Sequence, residues 1–388
     1  MTDNKTGLSF IWISFSVAAV WFSTHCGGGF ATGNQEVNFY VKYGWTSALL
    51  PIIAMGLVAW TYRNALVLAK DHNVHDYKSF ANVLYHPYEK VFSVVFELCF
   101  MANILIAVST SIAGAGALLQ NTLGIPYFVG ISAIGAVLLC LTIFGAELIL
   151  RVLRYKAYFL IVTLVMLVYL GFEMNGFKAI KFISSHETFG NDTWEGVWKA
   201  CLYVGFQAFG LVPAISVSHK ITTTKECNMF GVFGILLNGV FLAAMSIVLL
   251  GFAPGVLKET LPVYYMTNQL GLPWLKILYS IILFVALMGT AISFVFTAVT
   301  RFERAWEGKG AFESLRLRRL IIALLTVVLC VGASTFGLTA LVVKGYGSMG
   351  YVGLAFVVLP LLTVGTMKIR KNAELRKQKG IVETSSAS

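Results

Sequence analysis

Long apolar runs alternate with short polar connections along the whole chain, a pattern that predicts transmembrane helices throughout. About twenty apolar residues cross the hydrocarbon core as a helix. Runs of that kind lie near residues 8–40, 45–69, 89–120, 127–149, 155–173, 195–219, 227–251, 273–300, 319–340 and 346–367. Ten spans leave no room for a soluble domain between them. The composition of the 388 residues agrees, with 57% hydrophobic residues, 12% charged residues and a mean hydropathy of +0.78. The expectation is an all-α integral membrane protein.

The formal charge of +11 would suggest nucleic acid as a partner in a soluble protein, but here its distribution matters more than its total. With the N-terminus in the cytoplasm, all but seven of the 29 Lys and Arg residues fall in cytoplasmic connections and tails. That asymmetry is the positive-inside rule, and it predicts ten spans with both termini inside a bacterial inner membrane. Lipid is then the expected partner and nucleic acid is not. The first run lacks an A-x-A cleavage site and reads as a retained span. Five of the six cysteines fall within predicted spans and Cys227 at a helix start, with no C-x-x-C pair and no sign of a disulfide framework.

Two spans carry helix breakers. The first contains HCGGGFATGNQE, residues 25–36, and the sixth contains VGFQAFGLVP, with Gly205, Gly210 and Pro213 around Gln207. Mid-helix glycine costs about 1 kcal/mol relative to alanine, and proline about 3 kcal/mol. The two clusters lie about 180 residues apart, and spans two and seven, then three and eight, are offset by nearly the same amount. Spans one to five and six to ten therefore pair as an inverted 5+5 repeat, with helices 1 and 6 unwound at mid-membrane. The expected halves are residues 1–173 and 174–367, followed by a disordered cytoplasmic tail over 368–388. Residues 70–90 form a loop suited to a short amphipathic helix, residues 253–273 an outer loop suited to capping a vestibule, and residues 301–319 a basic link.

Inside lipid, non-helical backbone persists only when it is buried in protein or lines a water-filled cavity. An unwound Gly27–Gly33 would present amides to an anion and carbonyls to a cation, so one broken helix can hold a carboxylate and an alkali ion together.

GGGFATGNQE resembles the G-x-G-F-A-[ST]-G-Q-E signature of YkvI-like bacterial membrane proteins, within the amino acid-polyamine-organocation superfamily. The match inserts Asn34 before the Gln-Glu pair. The resemblance extends over the whole chain in length and layout. It implies the LeuT-type fold and transport of a small organic solute, such as an amino acid or similar zwitterion, by alternating access. Carried over, the solute-binding residues are Gly28, Gly29, Phe30, Ala31, Thr32 and Gly33 of span one, Phe206, Gln207 and Phe209 of span six, and Asn103 of span three. The amides of Ala31, Thr32 and Gly33 would meet a carboxylate, and Phe206 or Phe209 would form a hydrophobic lid. The A-x-x-[ST]-[ST] pattern of sodium-coupled relatives appears as ALMGT, which implies an ion site from Gly27, Phe30, Ala286, Thr290 and Ser293, with Gly289 replacing one hydroxyl.

Ionisable groups inside a membrane are costly and suggest function by default. His25 is a candidate for proton coupling or a packing histidine, and Glu97 a proton carrier or a buried hydrogen-bond donor. Glu147 reads as an interfacial partner of Arg151, and Glu36 as a vestibule gate or a solvated charge. Gly114 and Gly116 read as helix-packing positions. No catalytic motif is present, so no enzyme and no cofactor is expected beyond a coupling ion, sodium or alternatively a proton. The rival reading is a nutrient-sensing receptor on the same scaffold, like a germination receptor subunit. A monomer or homodimer is expected.

Overall fold

The computed structural model describes residues 3–144, 156–305 and 314–378, and every regular element among them is helical. Eight helices are long and apolar enough to cross a membrane, and two shorter apolar ones, Phe10–His25 and Tyr127–Thr142, complete the ten spans. In chain order the spans are as follows. Span one is Asp3–His25 continued by the short helices Gly28–Ala31 and Asn34–Phe39. Spans two to five are Leu50–His72, Glu89–Leu123, Tyr127–Phe144 and Lys156–Ser184. Spans six and seven are Thr193–Ser216 and Thr224–Gly251. Spans eight and nine are Pro273–Ala305 and Leu315–Ser334, and span ten is Leu338–Arg376.

Local sequence explains several ends. Asp192 caps span six by accepting from the Trp194 amide at 3.1 Å. Thr223 and Glu226 form a reciprocal capping box at the start of span seven, satisfying donors that a helix start otherwise leaves free. In the 70–90 loop, Asp76 caps the helix Tyr77–Tyr85, whose Phe80, Ala81 and Leu84 are buried, so the expected amphipathic helix is present. Span two ends at Asn73, which adopts the left-handed conformation suited to a helix stop.

Spans one and six lie at the centre. Span six buries 72% of its most apolar window and span five only 33%, and the outward side chains of span five, including Phe159, Val162 and Val165, face where lipid chains lie. Contact between spans six and ten depends on missing side chains. A Cβ on Gly205 would overlap the Gly350 carbonyl, and one on Gly353 would overlap the Gly205 carbonyl. Small residues thus bring two backbones together where no hydrophobic effect holds helices to each other. Gly114 and Gly116 do the same work, facing Leu287 of span eight and Ile131 of span four.

Three sequence expectations need correction. Span five continues to Ser184, so the boundary placed at residue 173 falls inside a helix. Span ten runs well beyond 367, through π-helical turns at Leu341–Tyr346, Leu354–Val358 and Leu361–Gly365. The tail from 368 to 378 is helical rather than disordered. Lys368 donates to the carbonyls of Val83, Leu84 and His86, and Arg376 pairs with Asp71 at 2.7 Å, so its polar residues find partners on span two and at the end of the helix Tyr77–Tyr85. The pairing expected for Glu147 and Arg151 lies outside the described residues.

Gly205→Ala should lower the thermal unfolding temperature of the purified protein, because the backbones of spans six and ten would have to separate. Gly56→Ala, at a helix position with nothing within 4 Å of the added carbon, should leave it unchanged or raise stability by about 0.5–1 kcal/mol. Equal responses in differential scanning fluorimetry would contradict the close approach.

Candidate functional site

Span one is broken twice. His25 ends its first helix, the Gly27 amide turns back to the His25 carbonyl at 2.7 Å, and Gly27 is extended. A four-residue helix, Gly28–Ala31, follows, and Gly33 at φ 81° starts the next, Asn34–Phe39. A Cβ on Gly33 would also press on Val263, so glycine is required there on two counts. The carbonyls released by the breaks are taken up by other elements. Tyr279 of span eight donates to the Ala31 carbonyl at 2.6 Å, and the Val263 amide donates to the Thr32 carbonyl at 3.1 Å. The amides differ from expectation. Those of Ala31 and Gly33 donate to the Gly27 and Phe30 carbonyls at 3.0 and 2.9 Å, so they are already engaged. Gly28, Gly29 and Phe30 open the short helix, and their amides have no intrahelical acceptor.

Span six is not unwound, contrary to the sequence expectation. Its helix Thr193–Gln207 tightens into a 3-10 turn at Ala208–Gly210 and resumes at Leu211, with right-handed helical angles throughout. The tightened turn points the Leu211 amide at the Ala208 carbonyl. The Gln207 carbonyl is left for the Tyr62 hydroxyl of span two, at 2.5 Å. A tyrosine from a neighbouring span therefore supplies the donor that continuous helix would have supplied. Phe209 is correspondingly no lid. It is fully buried against Phe96, with ring centroids 6.2 Å apart.

The breaks border a small, partly open cavity of about 50 Å³. Gly27 and Gly29 of span one, Asn103 of span three, Phe206 and Gln207 of span six and Thr290 of span eight line it, whereas Gly28, Phe30, Ala31, Thr32, Gly33 and Phe209 do not. Gln35 and Tyr346, which the sequence reading did not single out as ligands, line it too. Tyr346 stacks on Phe206 at 4.6 Å and shares a hydrogen bond with Thr110 at 2.9 Å. Among the described residues, no carboxylate, thiol or permanent charge lines the cavity. The Asn103 side-chain oxygen is buried there without a protein partner.

The cavity opens toward the side of the chain termini, where its lining residues Thr24, Gly210, Pro213 and Phe294 are half-buried. The opposite side is closed. Asn34 donates to the Thr260 carbonyl and to Thr339, both at 2.9 Å, and these bonds join the end of the break to the 253–273 loop and to span ten. The loop expected to cap a vestibule does so, through the helix Pro262–Gln269 and its Val263 amide.

His25 bridges three spans. Its Nδ1 lies 2.8 Å from Asn238 Oδ1, and its Nε2 lies 2.6 Å from the Tyr203 hydroxyl. The Asn238 amide nitrogen donates to the Gly234 carbonyl at 3.0 Å, so its oxygen faces the ring and Nδ1 carries the proton. Nε2 then accepts from Tyr203, whose oxygen also sits 3.4 Å from Gln35 Oε1. Gln35 in turn packs over Gly29, where any Cβ would collide with it.

Around the implied ion site, Thr290 lies against Gly27 and donates to the Ala286 carbonyl at 2.9 Å. Ser293 donates to the Gly289 carbonyl at 2.7 Å. Phe30 packs on His25 with centroids 4.8 Å apart. Two carboxylates depart from expectation. Glu97 forms an ion pair with Arg301 rather than standing as a neutral hydrogen-bond donor. Glu36 is neither solvated nor in a vestibule. It is fully buried, and neither carboxyl oxygen has a hydrogen-bond partner.

Asn238→Leu should leave the Nδ1 proton of His25 without an acceptor. The expected cost is about 1–3 kcal/mol, read as a lower thermal unfolding temperature of the purified protein. An unchanged temperature would contradict the assigned bond.

No family model matches the chain. It is 25% identical over 344 residues to the uncharacterized membrane protein YkvI of Bacillus subtilis (strain 168), covering 88% of this chain and 93% of YkvI. Among solved structures it resembles the Eremococcus coleocola manganese transporter, with a TM-score of 0.60 at 15% identity, over 91% of this chain and 78% of that one. It also resembles MhsT in complex with L-phenylalanine, with a TM-score of 0.53 at 15% identity, over 94% and 97% of the two chains. At such identities the structural likeness speaks for the fold alone. With the broken first span, that likeness shows the LeuT-type fold, and in sequence the chain is similar to YkvI.

Proposed function

We propose that the chain is a secondary active transporter that carries a small neutral amino acid or similar zwitterion, driven by an ion gradient. The observation that carries this reading is the uncharged cavity at the helix break, with Gly29, whose amide has no intrahelical acceptor, on one wall and an unpaired amide oxygen on another. The Gly29 amide suits a carboxylate, since peptide donors at a helix start favour an anion. The Asn103 oxygen suits an ammonium, and the apolar Phe206, Phe294 and Tyr346 suit a side chain without charge. A manganese cargo, as carried by the structural relative, fits poorly. Manganese takes carboxylate, carbonyl and water oxygens, yet no acidic side chain lines the cavity, and no cluster of three His, Cys, Asp or Glu side chains occurs among the described residues.

Transport follows from the breaks. In this conformation the cavity opens on the terminal side and Asn34 closes the other, so exchanging those two closures around a fixed site is alternating access. The inverted 5+5 repeat supplies the symmetry for such an exchange. Gly27, Phe30, Ala286, Thr290 and Ser293 remain the candidate alkali-ion residues, with the methyl and hydroxyl of Thr290 both close to Gly27.

Purified protein in liposomes should take up radiolabelled neutral amino acids in a saturable manner that collapses when the ion gradients are dissipated. Asn103→Leu and Gln207→Leu should each raise the half-saturating concentration by about tenfold or more, as expected when a buried polar partner is lost. Tight binding with no gradient-driven accumulation would favour the receptor reading, and unchanged affinity in both variants would remove the solute from this cavity.

A further inference from the structure

Among the ionisable groups that the described residues place within the spans, Glu36 stands apart. His25 has a partner on each ring nitrogen, and Glu97 has the Arg301 guanidinium. Glu36 has neither a hydrogen bond to either oxygen nor an ion pair among the described residues, and its relative exposure is 0%. Electrostatically it faces hydroxyls, not cations. Tyr40 lies on its own helix, Tyr203 on span six and Tyr279 on span eight. The Tyr40 hydroxyl is itself buried without a partner. Span seven, packed on the same helix, contributes no titratable side chain between Phe241 and Gly251; of the two turns also packed on it, Gly255–Lys258 and Leu341–Tyr346, Lys258 and Lys344 are exposed and Tyr346 is bonded to Thr110. Lys42, one turn beyond, is held by Asn38 Oδ1 at 2.6 Å.

A carboxylate removed from water without a cation or donors is so unfavourable that the group neutralises instead. We propose that Glu36 is the binding site of a coupling proton, held as a neutral carboxyl whenever the side remote from the termini is closed. The inference rests on the transporter reading and names its coupling ion. Glu36 follows Gln35, which lines the cavity, and lies two residues after Asn34, which makes the closure to Thr260 and Thr339. Opening that closure hydrates this end of span one, allowing the Glu36 O–H bond to break and water to receive the proton. Closing it again requires a proton to return. The conformational equilibrium is thereby linked to pH on that side, since a state that must bind a proton is favoured where protons are abundant.

The test uses the full chain in lipid nanodiscs without any solute. Infrared spectroscopy at neutral pH should show the carbonyl stretch of a protonated carboxyl, shifted in deuterium oxide. Glu36→Gln should abolish that band, and Glu97→Gln should preserve it. Because glutamine mimics a neutral carboxyl, Glu36→Gln should also keep the wild-type unfolding temperature. Absence of the band in wild type, or its persistence in Glu36→Gln, overturns the proposal. So does a band that appears only when sodium is replaced by choline, which would assign an alkali cation to the site, and so does strong destabilisation by Glu36→Gln. Since no solute is involved, failure here leaves the transport reading standing, and failure of uptake leaves this result interpretable.

Discussion

Backbone groups inside a bilayer have no water to pair with, and the centre of this structure is organised by where the groups released from span one find partners. Tyr279 and Val263 take the carbonyls of Ala31 and Thr32, and the turn within Gly27–Gly33 takes two of the amides. Gly29, near the start of the short helix, is left lining the cavity. Solute recognition, closure of one side and the placement of Glu36 all depend on that distribution. A continuous first helix would satisfy every group internally and leave nothing to bind with.

The two central spans solve the same problem differently. Span one breaks outright and is held by hydroxyls and amides from the 253–273 loop and span eight. Span six keeps its helical angles, tightens by one 3-10 turn and gives its one released carbonyl to Tyr62. This difference places most of the free peptide chemistry on one wall of the cavity. The facing wall supplies aromatic surface and the side-chain amide of Gln207. Gly205, set against Gly350 and Gly353, lets span six lie closely against span ten, and Trp198 adds a hydrogen bond to Tyr351.

Much of this was legible in the sequence. Span length, the charge asymmetry and the glycine cluster of residues 27–33 depend on local composition, and a break in lipid has few physical uses. Gly27, Gly29, Asn103, Phe206, Gln207 and Thr290, which the family resemblance implied as solute or ion residues, meet at the cavity. The errors have physical causes as well. Gly205, Gly210 and Pro213 read as an unwinding signal, but a donor from span two makes the shorter 3-10 adjustment sufficient. The resemblance implies Phe209 as a cavity residue, whereas in the fold it packs against Phe96 away from the cavity lining. The bridge from Asn238 through His25 to Tyr203 joins residues 213 and 178 positions apart, and no local pattern announces it. Glu36 misled because a glutamate near a span end ordinarily meets water. Only the packing of Tyr40, Tyr203 and Tyr279 shows that it does not.

The central claim is that the uncharged cavity at the span-one break holds a zwitterion between the Gly29 amide and Asn103. A cryo-electron microscopy map of the protein saturated with a neutral amino acid tests it most directly. The account predicts density bridging the Gly29 amide and the Asn103 side chain, with the carboxylate at the Gly29 amide. Solute density elsewhere, or a reversed orientation with the ammonium at that amide, would contradict it.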